Sequence, residues 1–341
     1  MKLLKKHLYN FNRSLFLLLF ITTYSGVAQV LVPTPETAFD KQHNFNADFI
    51  KNKGIKKITY EIIDKKDFEV PVDKSLTETY EFDTEGRLSR YYYTTIVKTL
   101  ERQITSSDRK GKKSTRTVRE YVYDTISTSY FYQNNKLVLQ RYHDGANYYE
   151  GKYFRYDSAG NLTKELRFRE TNSSPDRSLF MLGNQVLLSE DSFQYTRYSS
   201  GQIKCLLLNS ENRPYKQRIT NFDSLGRKVH INEQYTAASW ISQEQKFTYK
   251  GQRLLTALFT GNASTKVTLL HEFEYDEHQE LYGEKHFKNG VLIKEVSYVS
   301  DKLSNLLNSF VIRDHLNKTM RIVKLRYDLG LLGRTESGRR L

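Results

Sequence analysis

Residues 153–168 read YFRYDSAGNLTKELRF. Aromatic residues at alternating positions lead into an Asp. A Gly follows three residues later, then an amide, a Leu and an alternating run. The Asp157 carboxylate is placed to accept hydrogen bonds from backbone N–H groups ahead of it, and Gly160 takes the positive φ that closes a tight turn. Beyond the turn, Leu162, Lys164, Leu166 and Phe168 fall on one face, and Thr163, Glu165, Arg167 and Arg169 on the other. Period two is the signature of a strand with one largely apolar and one charged face. The apolar side reads as the inner one, with Lys164 snorkelling from a shallow core.

The same outline returns as YEFDTEGRLSRYYY at 80–93, TNFDSLGRKVHINEQY at 220–235 and FTYKGQRLLTAL at 247–258. Gly86, Gly111, Asn135 and Gly160 lie 25, 24 and 25 residues apart, and Gly201, Gly226 and Gly251 are spaced by 25. A second set of turn-like clusters interleaves at 144–147, 171–175, 211–214, 237–239 and 261–264. Each unit of about 25 residues is therefore two strands of roughly 8 to 10 residues and two turns. An aliphatic residue at a fixed offset from the turn, as at Leu88, Leu162 and Leu254, pins the register, because a one-residue slip would turn the strand inside out.

Two regions leave this ruler. Residues 87–119 read as a long hairpin tipped by DRKGK at 108–112, and residues 171–192 as an irregular insertion. Towards the C-terminus the motif degenerates, keeping Tyr275–Asp276 and Tyr327–Asp328 without the Gly, as end repeats that cap a stack do. The expected fold is all-β: an elongated or partly closed antiparallel β-meander over 55–330, built from hairpin repeats of about 25 residues. It has roughly 18 strands, too many for a flat open sheet. The structural turn residues are Asp83, Gly86, Asp157, Gly160, Asp223, Gly226, Gly251 and Asp276.

The ends are different. Residues 1–28 carry Lys2, Lys5, Lys6 and Arg13 ahead of a short apolar core, with Gly26 and Ala28 at small-residue positions, the layout of a signal peptide. The apolar core from Leu15 to Thr22 is shorter than the roughly 20 residues a membrane span needs. Removing this segment takes four positive charges from the formal +14 and leaves the chain strongly basic. Residues 29–54, with VPTPET and no alternation, read as a linker with a short helix around Ala47 to Lys51. Residues 331–341 read as a flexible tail. Cys205 is the only cysteine, so an exported chain has no internal disulfide to rely on.

The pattern [Tyr/Phe]-x-[Tyr/Phe]-Asp-x-x-Gly-[Arg/Asn]-Leu stands at 80–88 and 154–162, and more loosely at 221–229. It resembles the YD repeat of the Rhs family. HFKNGVLIKEVSY at 286–298 is similar to MORN-like repeats. The resemblance covers roughly 76–328 and is nearest to short exported YD-repeat proteins of the Bacteroidota type. It implies β architecture and no catalytic residues. Large Rhs proteins wrap a shell around a toxin; this chain has only about a dozen residues after Asp328 and lacks the proline of their boundary motif, so the resemblance implies no toxin role.

No nucleophile–base motif, P-loop or glycine-rich nucleotide fingerprint occurs. The repeated Asp residues share a turn position, which accounts for them without catalysis. His271, His278 and His286 are 7 and 8 residues apart, which on strands puts them on different faces, and no Cys/His cluster with metal spacing exists. The expectation is a protein without enzymatic activity, cofactor or metal. Arg109, Lys110, Lys112, Lys113 and Arg116 form a candidate patch for an anionic partner such as a glycan or lipid headgroup. A solvated, charged edge that resists sheet-to-sheet pairing is the plainer account of it. Tyr91, Tyr92, Tyr93, Tyr121, Tyr123, Tyr130 and Tyr132 are either a surface for sugars or peptides, or cross-strand pairs that hold the sheet. The export signal argues against nucleic acid despite the pI of about 9.5. The charged strand faces argue against an integral membrane barrel. The sequence thus points to an exported scaffold of the periplasm, outer surface or extracellular space, binding an unknown protein. The alternative is an envelope glycan-binding module using Tyr and Arg/Lys.

Overall fold

Alternating strands joined by tight turns have one way to satisfy their backbone groups: each pairs with its sequence neighbour. The computed structural model describes residues 29–40, 44–107, 113–145, 147–176, 179–199, 201–261 and 266–330. The signal peptide, the C-terminal tail and the 108–112 tip lie outside the described residues. The strands are β1 (Ile55–Lys66), β2 (Val72–Phe82), β3 (Leu88–Ser107), β4 (Lys113–Gln133), β5 (Lys136–His143), β6 (Tyr149–Tyr156), β7 (Leu162–Asn172), β8 (Leu182–Arg197) and β9 (Ile203–Leu208). They continue as β10 (Pro214–Phe222), β11 (Lys228–Tyr235), β12 (Ser242–Lys250), β13 (Arg253–Thr260), β14 (Thr268–Tyr275), β15 (Leu281–Lys288), β16 (Val291–Ser300), β17 (Leu307–Asp314) and β18 (Thr319–Leu329). All 18 belong to one antiparallel sheet in sequence order.

The sheet closes on itself. β1 pairs with β18 from Ile55–Leu329 to Lys66–Thr319, as well as with β2. The fold is therefore a closed barrel, which corrects the expectation of an elongated or partly closed meander. Twist accumulates over so many strands, and an open sheet would leave two unpaired edges. Closure removes both. The long hairpin expected at 87–119 is made by β3 and β4, of 20 and 21 residues, and its second arm runs on to Gln133. Within 171–192, β7 and β8 pair with register shifts at Arg167/Phe168 and Glu170/Asn172, and an irregular connection joins Asn172 to Leu182.

The repeated motif has a mechanical explanation. The ladder shifts register at the aromatic residue before each turn, placing Phe82, Tyr132, Tyr156, Tyr249 and Tyr275 opposite Leu88, Leu137, Leu162, Leu254 and Leu281. Such bulges re-aim a side chain. The tyrosines use this to reach the preceding hairpin. The Tyr132 hydroxyl donates to the Leu88 carbonyl, Tyr156 to Leu137, Tyr249 to Lys228, Tyr275 to Leu254 and Tyr327 to Leu307, all at 2.6–2.9 Å. The basic residue of that hairpin lies over the same ring: Arg87 over Tyr132, Lys136 over Tyr156, Arg227 over Tyr249 and Arg253 over Tyr275, at 4.5–5.7 Å. The Tyr and the Arg of the motif thus belong to one contact between successive repeats.

Residues 29–40 and 44–53 are packed inside the barrel, not strung as a linker. Leu31 bridges Phe45 to make a small hairpin, and helix α1 (Ala47–Asn52) follows, capped by the Asn46 side chain at the Phe49 N–H. The segment touches Lys228 at the start of β11, Phe259 of β13, Leu281 of β15 and Tyr80 of β2. Reaching strands spread that far around the wall is possible only from the concave side. Val30, Leu31, Phe49 and Ile50 are buried there against Ile58, Tyr60, Tyr80, Phe247, Phe273, Phe310 and Val323. Tracing paired residues from Tyr80 round the wall puts Glu165, Arg167 and Arg169 on the luminal face, and Lys164, Leu166 and Phe168 outside. This reverses the inner face expected for β7. The inserted segment covers only the β11–β2 arc, so elsewhere no apolar filling dictates which face turns inward.

Candidate functional site

Beneath the inserted hairpin lies a cavity of about 330 Å³, walled by β14–β18, β1 and β2 and roofed by Leu31, Val32, Thr37 and Ala38. The wall is apolar near the hairpin, with Phe273, Val296 and Phe310, and carries Glu78, Glu284, His286, Lys294 and Arg321. Glu284 accepts from the Tyr298 hydroxyl at 2.7 Å and meets His286 Nε2 at 3.0 Å. Arg321 is bound to Asp64 at 2.8 and 3.3 Å, and Glu78 accepts from the Tyr80 and Tyr91 hydroxyls at 3.1 and 3.4 Å. Lys294 is flanked across the ladder by His286 and Asp314.

His271 and His286 stack with ring centroids 3.7 Å apart. The expectation had placed them on different faces; the bulge at Tyr275 brings them opposite each other. His271 Nδ1 lies 2.6 Å from the Ala38 carbonyl, so this nitrogen carries the proton and donates to the hairpin. Burial, with the neighbouring His286 second, pushes the His271 pKa down to about 4. Burial likewise lowers the Lys294 ammonium. The wall thus meets its own N-terminal segment through a neutral imidazole and a set of paired charges. No local signal marks this cluster: His271, Glu284, His286 and Lys294 come from three consecutive strands whose register depends on a bulge, and Ala38, Glu78 and Arg321 join them from far along the chain.

A second concavity, of about 590 Å³, lies on the outer wall at β3–β6. Two rows of directly opposed residues cross it: Tyr92, Ser127, His143 and Tyr149; and Arg90, Ser129, Arg141 and Gly151. Arg141 bonds at 2.6 Å to Glu170, which is 1% exposed and also takes the Tyr153 hydroxyl and Gln185. Phe180, on the 173–181 segment, covers the Arg141 guanidinium at 3.9 Å.

The expected turn residues sit at hairpin ends. Asp83, Asp157, Asp223 and Asp276 each accept from the backbone N–H four residues on, at 2.8–2.9 Å. Gly86, Gly160 and Gly226 have φ of 76°, 90° and 75°, and Gln279 takes that place with φ 64° after Asp276. Gly251 has φ 59° in a two-residue turn. The Arg227 and Asn161 side chains hold Asp223 and Asp157 below the usual carboxylate range. In the basic patch, Lys113 and Arg116 stand exposed on β4, while Arg109, Lys110 and Lys112 lie outside the described residues. The aromatic run divides: Tyr91 and Tyr93 face the lumen in a stack with Tyr80, and Tyr92 faces out. Cys205 is buried on β9, where burial raises its thiol. Among the described residues no group of three or more His, Cys, Asp or Glu is placed to hold a metal ion, and no helix is long and apolar enough to cross a membrane.

No protein-family model matches the chain, and no curated protein matches it. The likeness to YD and MORN-like repeats therefore stands on the residues alone. Among solved structures, the chain is similar to a porin-like protein from Bacteroides uniformis at 12% identity, covering 81% of this chain and 97% of that one, with a TM-score of 0.35. A porin-like protein from Bacteroides vulgatus matches at 11% identity, 80% and 98% coverage and a TM-score of 0.26. A TcdB2–TccC3 structure matches at 12% identity over 73% of this chain and 13% of that one, with a TM-score of 0.24. At such TM-scores the description of the barrel rests on its own strand ladder.

Proposed function

We propose that the protein is an exported, non-catalytic β-barrel scaffold of the cell envelope or extracellular space that recognises its partner through its wall. The observation that carries this is the charge on the outer face at mid-strand. Arg326 pairs with Glu61 at 2.8 Å, Lys285 with Glu274 at 2.6 Å, and His230 with Glu244 at 2.7 Å. A lipid-facing band tolerates such groups poorly, at roughly 2 to 4 kcal/mol for each Arg or Lys at mid-bilayer. The filled β11–β2 arc of the lumen supports a structural role for the interior. The charged leader supports export.

The test is behaviour without detergent. The mature chain, expressed with its leader and recovered from the envelope fraction, should be monodisperse in plain buffer and cosediment with no liposomes. A requirement for detergent, or stable insertion into vesicles, would overturn the water-facing scaffold. A second reading, an envelope glycan-binding module, is favoured by the aromatic and arginine-lined concavity on the outer wall.

A further inference from the structure

The outer concavity is a slot with a small-residue floor. On β4, Ser127 and Ser129 stand side by side on the outward face, flanked by Tyr92 and Arg90 on β3 and by His143 and Arg141 on β5. The flanking strands are two inter-strand spacings apart, about 10 Å, so the serines leave a trench between large side chains. One wall is flat: His143, opposite Ser127 in the ladder, stacks on Tyr149 at 4.2 Å and 10°, which fixes the imidazole upright. Tyr149 is braced in turn by Phe180 at 4.9 Å. The opposite wall carries Arg90, stacked on Tyr92 at 5.1 Å and without an ion pair among the described residues. Arg141 is neutralised by buried Glu170, so Arg90 supplies the slot's mobile positive charge.

A flat π face, a floor of hydroxyls and a planar cation at the rim complement a polyhydroxylated ring bearing a carboxylate. The ring's C–H face stacks on the imidazole, its hydroxyls meet the serines, and the carboxylate takes the guanidinium fork. We propose that this slot binds a uronate-containing saccharide, with His143 as stacking platform, Ser127 and Ser129 as hydroxyl partners and Arg90 as carboxylate clamp. This rests on the glycan-module reading and is independent of the scaffold reading.

The test is calorimetric titration of the full mature chain with hyaluronan tetrasaccharide and tetragalacturonate, and with neutral cellotetraose and chitotetraose. At least one uronate probe should bind saturably, more weakly at high salt. His143→Ala and Arg90→Gln should each weaken it roughly tenfold or more. Ser127→Leu, which fills the floor, should abolish it. Because Ser127 is 9% exposed, that variant is read only if its thermal unfolding matches the parent; Arg90→Gln, on an exposed residue, carries the test otherwise. Binding of the neutral probes at equal strength would overturn the carboxylate clamp. Binding indifferent to His143 and Arg90 would overturn the site. No binding by any probe would overturn the glycan reading and leave the detergent-free scaffold standing.

Discussion

At the scale of the residue, the repeated glycines have unequal burdens. A Cβ on Gly226 would meet nothing within 4 Å, so only its φ of 75° opposes substitution. A Cβ on Gly86 would lie 2.0 Å from the Ala47 carbonyl oxygen of α1, at a φ of 76°. Gly226→Ala should therefore cost about 1 kcal/mol, the left-handed penalty alone. Gly86→Ala should cost at least roughly twice that, because helix or turn must also move. Urea unfolding of both variants checks this; equal losses would mean that α1 does not dock on the β2–β3 turn. The turn chemistry was legible at these positions, because Asp, Gly and their spacing act locally. The docking of α1 on Gly86 was not, since 39 residues separate Ala47 from it. The stacking of Arg87 on Tyr132 was hidden in the same way, each residue being visible as part of a motif while their contact spans two strands.

At the scale of the element, the inserted hairpin is tied to the wall by a titratable group. His271 is neutral in the folded protein, with a pKa of about 4 against an unfolded value near 6.5. Below pH 6.5 the unfolded chain takes up a proton that the folded one refuses, so stability falls as pH drops to about 4 and levels off beneath it. The full span corresponds to an upper limit on the order of 3 kcal/mol. The faces turned towards His271 are the Ala38 carbonyl and Phe39 of the hairpin, His286 and Glu284 of β15, and Lys294 of β16. Stability measured between pH 4 and 7 should show this slope in the parent and lose most of it in His271→Asn. An unchanged slope in the variant would assign the effect to other groups. Carboxylates held low by partners, such as Glu233 beside Lys216 and Arg218, titrate further down and add their loss below the usual carboxylate range. The strands themselves were readable from period-two alternation. The inward face of β7 was not, because an apolar–charged alternation names two faces without saying which one a barrel turns to its lumen.

At the scale of the whole molecule, closure is a single ladder between the first strand and the last. Phe310 and Val323 on β17 and β18 are 2% exposed, and Ile58 on β1 is fully buried. Removing β18 by truncation after Asp314 would uncover two sheet edges and part of this core at once. The expected outcome is loss of a cooperative melt and association into large oligomers by gel filtration; a monomeric truncated form with its own sharp melt would show that the ring is not needed. Meander order was legible because sequential strands pair through short turns, whereas the β1–β18 contact joins residues some 260 positions apart. The inserted hairpin lies early in the described chain, yet most of the strands it rests on are the last ones, β11 to β18. In assembly time this means that residues 29–40 and 44–53 have no surface to settle on until nearly all the barrel exists, while the ring must not shut before they are inside. Folding is therefore governed by contacts of very high sequence separation, which are slow to form. During that interval the buried row of Val30, Leu31, Phe49 and Ile50 is exposed to whatever holds nascent chains apart, and hydrogen-exchange labelling during refolding should protect it in the same phase as β18, after the local hairpins.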